Sequence, residues 1–197
     1  MFALKRIQRE LKDIFQNEEA SQRMIRLDMV NDSLQELRGE IAGPSGTPYE
    51  GGLFVLKIKV PQTYPFTPPE VSFVTKVWHP NISSVTGAIC LDILKDEWAG
   101  SMTLRTVLMS LQILLATPEP DDPQDAVVAK QCIENPEMFE LTAKHWTQVY
   151  AGAPKTPSDF DAKIKILVNM DVEEKKARDA LSCCSWNLKE AKKSLFG

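Results

Sequence analysis

Apolar side chains recur at helical spacing in three parts of the chain. Near the start, residues 4–15 carry an apolar residue every three or four positions, with basic residues between them, which predicts an amphipathic helix with a basic outer face. A second apolar run follows Thr103, a favoured helix-capping residue. A third follows Asn135-Pro136, which suit the cap and first position of a helix, and it ends before Gly152. The apolar positions of the first run are Leu4, Ile7, Leu11, Ile14 and Phe15.

Alternation of apolar and polar residues predicts four short strands in the first half of the chain. The pattern is clear over residues 53–60 and weaker over residues 23–30, 36–42 and 70–76. Turn-forming residues such as Asn31-Asp32-Ser33 separate the strands. Because these connections are short, we expect an antiparallel meander, since parallel pairs need long crossovers.

Residues 77–102 show neither period and include Cys90. Irregular segments of this length inside a compact domain are usually functional. An acidic, proline-punctuated loop at residues 118–123 comes later, and a short helix is expected over residues 124–133.

The last part of the chain predicts a separate small bundle. Residues 151–158 contain two prolines, a glycine and no large apolar side chain, which is typical of a linker. Three short helices are expected beyond it, at residues 159–168, 173–182 and 187–196, and Asn187 with Glu190 matches a capping box for the last one. The expected core of this bundle is Ile164, Leu167, Ala177, Leu181, Trp186, Leu188 and Ala191.

These elements predict an α+β fold with an N-terminal helix, a four-stranded antiparallel meander and C-terminal helices, followed by a three-helix bundle. The expected boundaries are residues 1–152 for the first domain, 153–158 for the linker and 159–197 for the bundle. A bundle this small is marginally stable on its own.

Composition narrows the class of protein. The 197 residues are 43% hydrophobic and 25% charged, as in ordinary soluble globular proteins. A formal net charge of −4 argues against general nucleic-acid binding. No apolar stretch approaches the roughly 18 residues needed to span a membrane, and the charged start is unlike a secretory signal. We therefore expect no membrane partner and a cytoplasmic location, or a nuclear one.

The four cysteines are interpreted either as buried free thiols or as including one reactive thiol. In a reducing compartment cysteines are expected to be free, and a zinc site is disfavoured because the chain has no Cys-x-x-Cys pair and only two histidines, His79 and His145. Cys183 and Cys184 are interpreted as incidental thiols. The four cysteines are Cys90, Cys132, Cys183 and Cys184.

His79 and Cys90 lie in one irregular segment, which first suggests a thiol hydrolase with His79 as the base. A third group that would orient the base is not evident, and the local signatures of thiol proteases are missing. His79, between a tryptophan and a proline, fits equally well as a structural residue that holds the loop by hydrogen bonds.

Five segments in the first 150 residues occur together and in order in one known family. They are Glu36-Leu-Arg-Gly-Glu-Ile-Ala-Gly43, Thr47-Pro-Tyr-Glu-Gly-Gly52, Tyr64-Pro-Phe-Thr-Pro-Pro69, the segment from His79 to Asp92, and Glu119-Pro-Asp-Asp-Pro123. In these segments the chain resembles the ubiquitin-conjugating enzymes, and it closely resembles the subgroup that carries a C-terminal ubiquitin-associated domain.

The resemblance implies a transferase that carries ubiquitin on Cys90 as a thioester and passes it to lysines of substrates or of ubiquitin, building polyubiquitin chains for protein degradation. Asn81 would stabilise the oxyanion, directly or by ordering the loop, although it also fits as a side chain that only caps its loop. Asp122, with Asp121 beside it, would orient the attacking lysine and help its proton to leave, and His79 would support the loop. No bound cofactor or metal is implied, because ATP is consumed upstream by the activating enzyme.

The resemblance also implies a monomer with surfaces for four kinds of partner, namely ubiquitin, the activating enzyme, ligases and protein substrates. Basic residues of the first helix would face the activating enzyme, although they also fit a merely solvated face. Two loops would face ligases, with Gly100 where many relatives have proline. A pair on the helix after Thr103 would contact the donor ubiquitin, unless Ile113 is core. The residues expected to face the activating enzyme are Lys5, Arg6, Arg9 and Lys12. Those expected to face ligases are Phe66, Ala99, Gly100 and Ser101, and those expected to contact the donor ubiquitin are Met109 and Ile113.

Ubiquitin binding by the C-terminal bundle is left open by its sequence. Many ubiquitin-associated domains carry a Met-Gly-aromatic loop, whereas this chain has Met170-Asp171-Val172. Met170 and Leu195 are the candidate contacts, with Phe196 adding apolar surface. An inactive scaffold of the same fold is the alternative to an enzyme, but such variants lack the cysteine.

Overall fold

The structure is a computed structural model that describes residues 2–197, and it confirms the α+β architecture. Two helices precede the sheet, three follow it, and three more form the C-terminal bundle. The elements are α1 (Phe2–Gln16), α2 (Glu18–Gln22), β1 (Arg26–Val30), β2 (Ser33–Ala42), β3 (Leu53–Lys59), β4 (Glu70–Phe73), α3 (Leu104–Ala116), α4 (Ala126–Glu134), α5 (Pro136–Tyr150), α6 (Asp159–Val168), α7 (Glu174–Cys183) and α8 (Leu188–Phe196).

The sheet is the expected meander, in the order β1-β2-β3-β4 with every neighbouring pair antiparallel. Val30 pairs with Ser33 across a tight turn at Asn31 and Asp32, whose φ angles are 51° and 58°. Asparagine and aspartate tolerate this left-handed conformation better than most residues do, which explains why the turn falls here.

The expected strand at residues 23–30 starts three residues too early. Residues 18–22, just before the predicted strand, form the short helix α2. Asn17 caps this helix by accepting a hydrogen bond from the Ala20 backbone N–H at 2.9 Å. Met24 then takes a φ of 49°, which breaks the extended conformation before β1. A five-residue helix is too short to show a period, so the sequence pattern missed it. The fourth strand ends at Phe73, three residues before the predicted end.

Helix α1 buries a narrower face than its apolar pattern indicates. Ile7 and Ile14 are buried and Leu11 is partly buried, but Phe15 is 89% exposed and Leu4 is also exposed. The buried positions pack into one core with the inner face of the sheet and the leucines of α3.

Helices α6 to α8 enclose their own apolar core. The predicted members are buried except Leu188, which is partly buried, and the core also includes Phe160 and Val172. Only half of the predicted capping box forms: the Asn187 side chain accepts hydrogen bonds from the α8 backbone, while its own N–H donates to Cys184 O.

The segment at residues 151–158 is tied to α5. Ala151 and Ala153 are buried, and Gln148 Nε2 donates to Thr156 Oγ1 at 2.9 Å. The bundle then lies against α4 and α5, where Trp146 Nε1 donates to Ser182 Oγ and Trp186 Nε1 donates to Thr142 Oγ1, each at 2.9 Å. Within residues 2–197 no helix is both long and apolar enough to cross a membrane.

Candidate active site

Cys90 lies at the end of a folded loop, with a half-buried side chain and a backbone N–H that donates to Asn81 O at 2.9 Å. Ile82 pairs with Ile89, which folds the segment between them back on itself. The reversal requires a glycine at position 87, because its φ is +76° and a Cβ there would lie 2.0 Å from Phe73 O. The local sequence thus places the thiol next to Asn81.

Two groups of opposite charge flank the sulfur. Lys95 Nζ donates to Cys90 Sγ at 3.6 Å, and Sγ lies 3.7 Å from Asp122 Oδ2. Sequence reasoning singled out Asp122 but missed Lys95. A short 3₁₀ turn at Asp92–Leu94 brings Lys95 back to the cysteine five residues before it, and nothing in the residue pattern indicates that turn.

His79 is buried and both of its ring nitrogens are engaged. Nδ1 accepts a hydrogen bond from the Asn81 N–H at 3.0 Å, so the proton sits on Nε2, which donates to Leu114 O at 2.9 Å. Burial lowers the pKa of His79 to about 4. A neutral ring held in this way supports the loop and offers no free nitrogen to Cys90, which argues against the hydrolase alternative.

Asn81 holds the acidic loop with its whole amide group. Its Nδ2 donates to Glu119 O at 2.8 Å and to Asp122 O at 2.9 Å, while Oδ1 accepts from the Glu119 N–H at 2.8 Å. An amide has two N–H donors, and both are used here. Asn81 therefore fixes the loop that carries Asp122, and donation to an oxyanion would require one of these bonds to break.

The acidic loop is also fastened at its far end. Asp125 caps α4, and its Oδ2 accepts from the Ser84 hydroxyl at 2.6 Å and the Ser84 N–H at 3.0 Å. The Gln124 and Asp125 N–H groups both donate to Pro80 O at 2.9 Å. Asp122 thus sits between two anchored points, with its side chain exposed, as is that of Asp121.

The structure corrects the interpretation of Arg6. Lys5, Arg9 and Lys12 are exposed on α1, but Arg6 is largely buried and donates to Glu10 Oε1, Gly100 O and Met102 O, each at 2.8 Å. Because three protein acceptors surround its guanidinium, Arg6 joins α1 to the loop before α3 and is not part of a free basic face.

The two loops predicted to face ligases lie side by side, because Trp98 Nε1 donates to Pro65 O at 2.8 Å. Phe66 is 82% exposed next to the exposed residues Ala99, Gly100 and Ser101. A Cβ on Gly100 would meet its nearest atom, Pro65 O, at an ordinary 3.4 Å, so the fold leaves room for a side chain there.

The candidate ubiquitin contacts differ in accessibility. Ile113 is 56% exposed on α3, so the core interpretation of this residue is wrong, while Met109 is partly buried against the core. In the bundle, Met170 and Phe196 are exposed, but Leu195 is partly buried against the bundle core. In the described part of the chain, no three His, Cys, Asp or Glu side chains are grouped as a metal site would require.

The ubiquitin-conjugating enzyme family model matches residues 6–147, which include every residue around Cys90 described above. The chain belongs to the ubiquitin-conjugating enzyme family. Ubiquitin-conjugating enzyme E2-22 kDa of Drosophila melanogaster is 62% identical over 194 residues, which cover 98% of each chain. Ubiquitin-conjugating enzyme E2 K of Homo sapiens is 58% identical over 194 residues, 98% of this chain and 97% of the relative.

A solved structure is similar in fold as well. The E2 domain of a Toxoplasma gondii ubiquitin conjugating enzyme has a TM-score of 0.70 and 54% identity, and it covers 75% of this chain and 97% of its own. The chain is thus an enzyme of the ubiquitin conjugation pathway, in a family whose members work with ubiquitin, the activating enzyme and ligases.

Proposed function

We propose that this ubiquitin-conjugating enzyme carries ubiquitin as a thioester on Cys90 and transfers it to lysines of substrates or of ubiquitin, building polyubiquitin chains for protein degradation. The observation that carries this proposal is the half-exposed sulfur of Cys90 between Lys95 and Asp122, on a loop that Asn81 holds in place.

Loading is an exchange between two thiols of similar basicity. The Cys90 thiolate attacks the carbonyl of the ubiquitin thioester on the activating enzyme, and the thiolate of that enzyme leaves. Such an exchange needs an accessible thiolate more than a dedicated base. This agrees with a site in which His79 has no free nitrogen. The activating enzyme consumes ATP, so the proposal requires no bound cofactor here.

Discharge begins when a lysine amine attacks the thioester carbonyl, which forms a tetrahedral oxyanion. The intermediate collapses to an isopeptide bond, the Cys90 thiolate leaves, and the amine loses a proton. The Asp122 carboxylate, close to the sulfur and exposed, is suited to orient the amine and accept that proton. Asn81 acts by keeping Asp122 in this position.

The proposed partner surfaces follow the exposed residues. Lys5, Arg9 and Lys12 would contact the activating enzyme, and Phe66 with the 99–101 loop would contact ligases. Ile113 and Met109 would contact the donor ubiquitin. The Arg6 bond to Gly100 O puts the first two surfaces next to each other, so we expect the two partners to bind in turn.

For chain building, the C-terminal bundle would hold an acceptor ubiquitin near Cys90 and raise its effective concentration. Exposed Met170 and Phe196, together with the partly buried Leu195, would supply the apolar surface for this contact. We propose that the protein acts as a monomer in the cytoplasm or the nucleus.

The test is incubation with ubiquitin, activating enzyme and ATP, followed by electrophoresis without reductant. We expect a shift of one ubiquitin that thiol reductant removes, and Cys90→Ser should give an ester that resists reductant. Longer incubation should give free diubiquitin, and ubiquitin without lysines should not. No shift in the wild type would refute the transferase function, and a shift without diubiquitin would refute chain building alone.

A further inference from the structure

The bundle rests on the catalytic domain through buried polar groups. Besides the two indole bonds, Arg178 Nε donates to His145 Nε2 and Arg178 Nη1 donates to Tyr150 Oη, each at 3.3 Å. His145, Trp186, Ser182 and Arg178 are all buried. Because buried polar groups are costly when unpaired, such an interface has one preferred geometry.

Gln131 on α4 connects this interface to the root of the active-site loop. Its Oε1 accepts from Trp78 Nε1 at 2.7 Å, and its Nε2 donates to Ser182 O at 3.2 Å and to Ser185 Oγ at 3.1 Å. Trp78 directly precedes His79 and is fully buried. One buried amide therefore bonds to the catalytic segment on one side and to the C-terminal domain on the other.

Helix α4 is joined to the same segment at its N-terminus. The backbone N–H groups of Gln124 and Asp125 donate to Pro80 O, and the Asp125 carboxylate accepts hydrogen bonds from Ser84. The acidic loop to which Asn81 is bonded leads directly into this helix. A shift of α4 would thus be felt at Asp122 and at the backbone beside Cys90. The position of α4 in turn depends on what packs against Gln131.

We propose that docking of the C-terminal domain braces the active site, and that Gln131 is the positioning residue through which it acts. The docked domain fixes α4, and α4 keeps Trp78 to Asn81 and Asp122 in the geometry for discharge. This inference rests on the proposed thioester function and assigns the domain a role independent of ubiquitin binding.

The test uses the full chain, preloaded with ubiquitin on Cys90, and free L-lysine as the acceptor. Free lysine is too small to need a binding site on the bundle, so a slower discharge cannot arise from weaker acceptor binding. Gln131→Glu keeps an acceptor for Trp78 Nε1 but places a carboxylate next to Ser182 O. Gln131→Leu loses the hydrogen bond to Trp78 as well as those to the C-terminal domain. Asp179→Lys adds a cation at the interface, where Asp179 Oδ2 lies 3.8 Å from Lys76 Nζ and Lys76 already faces Lys175 and Arg178.

We expect Gln131→Glu, Gln131→Leu and Asp179→Lys each to slow discharge about fivefold, the rate factor of roughly one net hydrogen bond. Loading of Cys90 should be unchanged, because exchange needs only an accessible thiol. The double variant Gln131→Glu with Asp179→Lys should be no slower than either single variant. The charge swap Lys76→Glu with Asp179→Lys should restore discharge, and Glu173→Lys, a matched charge change at an exposed residue, should have no effect.

Discharge by Gln131→Glu at the wild-type rate would overturn the proposal, because Gln131 would then act only through Trp78. Additive losses in the double variant would also overturn it. The indole N–H resonance of Trp78, followed by NMR, should shift in each slow variant and return in the charge swap. If no thioester forms in the wild type, the thioester function itself fails, whereas equal discharge rates in all loaded variants would refute only the brace.

Discussion

At the scale of single residues, the sulfur of Cys90 has an ammonium and a carboxylate at nearly equal distances. The ammonium stabilises negative charge on sulfur and the carboxylate opposes it. This near balance suits a carrier, whose thiol must both accept an acyl group and release it.

We predict opposite effects from neutralising the two charges. Lys95→Met should slow alkylation of Cys90 by iodoacetamide about three- to fivefold, and Asp122→Asn should accelerate it by a similar factor, as expected for single charge contacts in water. The rate is followed on the Cys90 peptide by mass spectrometry, since the chain has three other thiols. Lys193→Met, far along the chain in α8, is the matched control, and changes of the same sign in both variants would contradict the prediction.

For Asn81→Ala we predict normal loading and a discharge about 10²-fold slower, within the range seen when an oxyanion site is impaired. A loop-holding role makes a further prediction, because Asn81 Oδ1 accepts the Glu119 N–H. Hydrogen exchange at Glu119 should accelerate in the variant. Slow discharge with unchanged exchange at Glu119 would instead indicate direct donation to the oxyanion.

The sequence identified most of the residues now found around the sulfur, because Cys90, Asn81 and Asp122 belong to motifs that resemble a family. It missed Lys95, which reaches the site only through an irregular turn. It also misjudged Arg6, because spacing along a helix reveals which face a residue occupies but not which distant carbonyls cover it.

At the scale of elements, one carboxylate joins the first helix to two later segments. Glu10 is buried on α1, where it accepts from Tyr64 Oη at 2.9 Å, from the Leu104 N–H at 2.8 Å and from Arg6 Nε at 2.8 Å. Burial, followed by the charge of Glu10, raises the pKa of Tyr64. The carboxylate thus replaces water for three donors, one of which is the first N–H of α3.

We predict that Glu10→Ala lowers the free energy of unfolding by about 3 kcal/mol, because it removes the counter-ion of the largely buried Arg6 guanidinium and leaves Tyr64 Oη and the Leu104 N–H without an acceptor. Urea denaturation followed by circular dichroism measures this change. Asp13→Ala removes an exposed carboxylate one turn away and should cost less than about 0.5 kcal/mol. Equal losses in the two variants would contradict the role of Glu10.

Periodicity predicted the long elements well and the short ones poorly. The strand at residues 53–60 and the helices after Thr103 and Asn135 were predicted because apolar side chains recur there over several periods. Helix α2 was missed, the starts of the first and second strands were misplaced, and so was the end of the fourth strand. The start of α2 is decided by one cap, Asn17, and the start of the first strand by one left-handed residue, Met24.

At the scale of the whole molecule, the arrangement of the two domains could not be predicted from the sequence. Residues 151–158 have the composition of a linker, which does not indicate that the segment is bonded to α5. The interface depends on side chains far apart in the chain, such as His145 and Arg178, and no local pattern encodes such pairs.

We predict that docking weakens in acid because of His145. Burial, and then Arg178, lower its pKa to about 4; Lys155 acts in the same direction, while Asp161 and Glu174 oppose them. Since an undocked histidine has an ordinary pKa near 6.5, docking should be strongest above that pH and weaken as the pH falls toward 4.

Small-angle X-ray scattering should give a radius of gyration near the compact value of about 16 Å at pH 7 and a larger one in acid. His145→Gln keeps an acceptor for Arg178 but cannot titrate, so its profile should be flatter. The same pH profile in both proteins would contradict the assignment.

Because α4 serves both domains, they are not interchangeable parts. A different three-helix module joined after residue 158 would have to present a carbonyl and a hydroxyl where Ser182 and Ser185 meet Gln131, and a guanidinium where Arg178 meets His145. Substitutions on the two sides are therefore coupled, and a chimera of this enzyme should be cut so that α4, α5 and the bundle are inherited as one block.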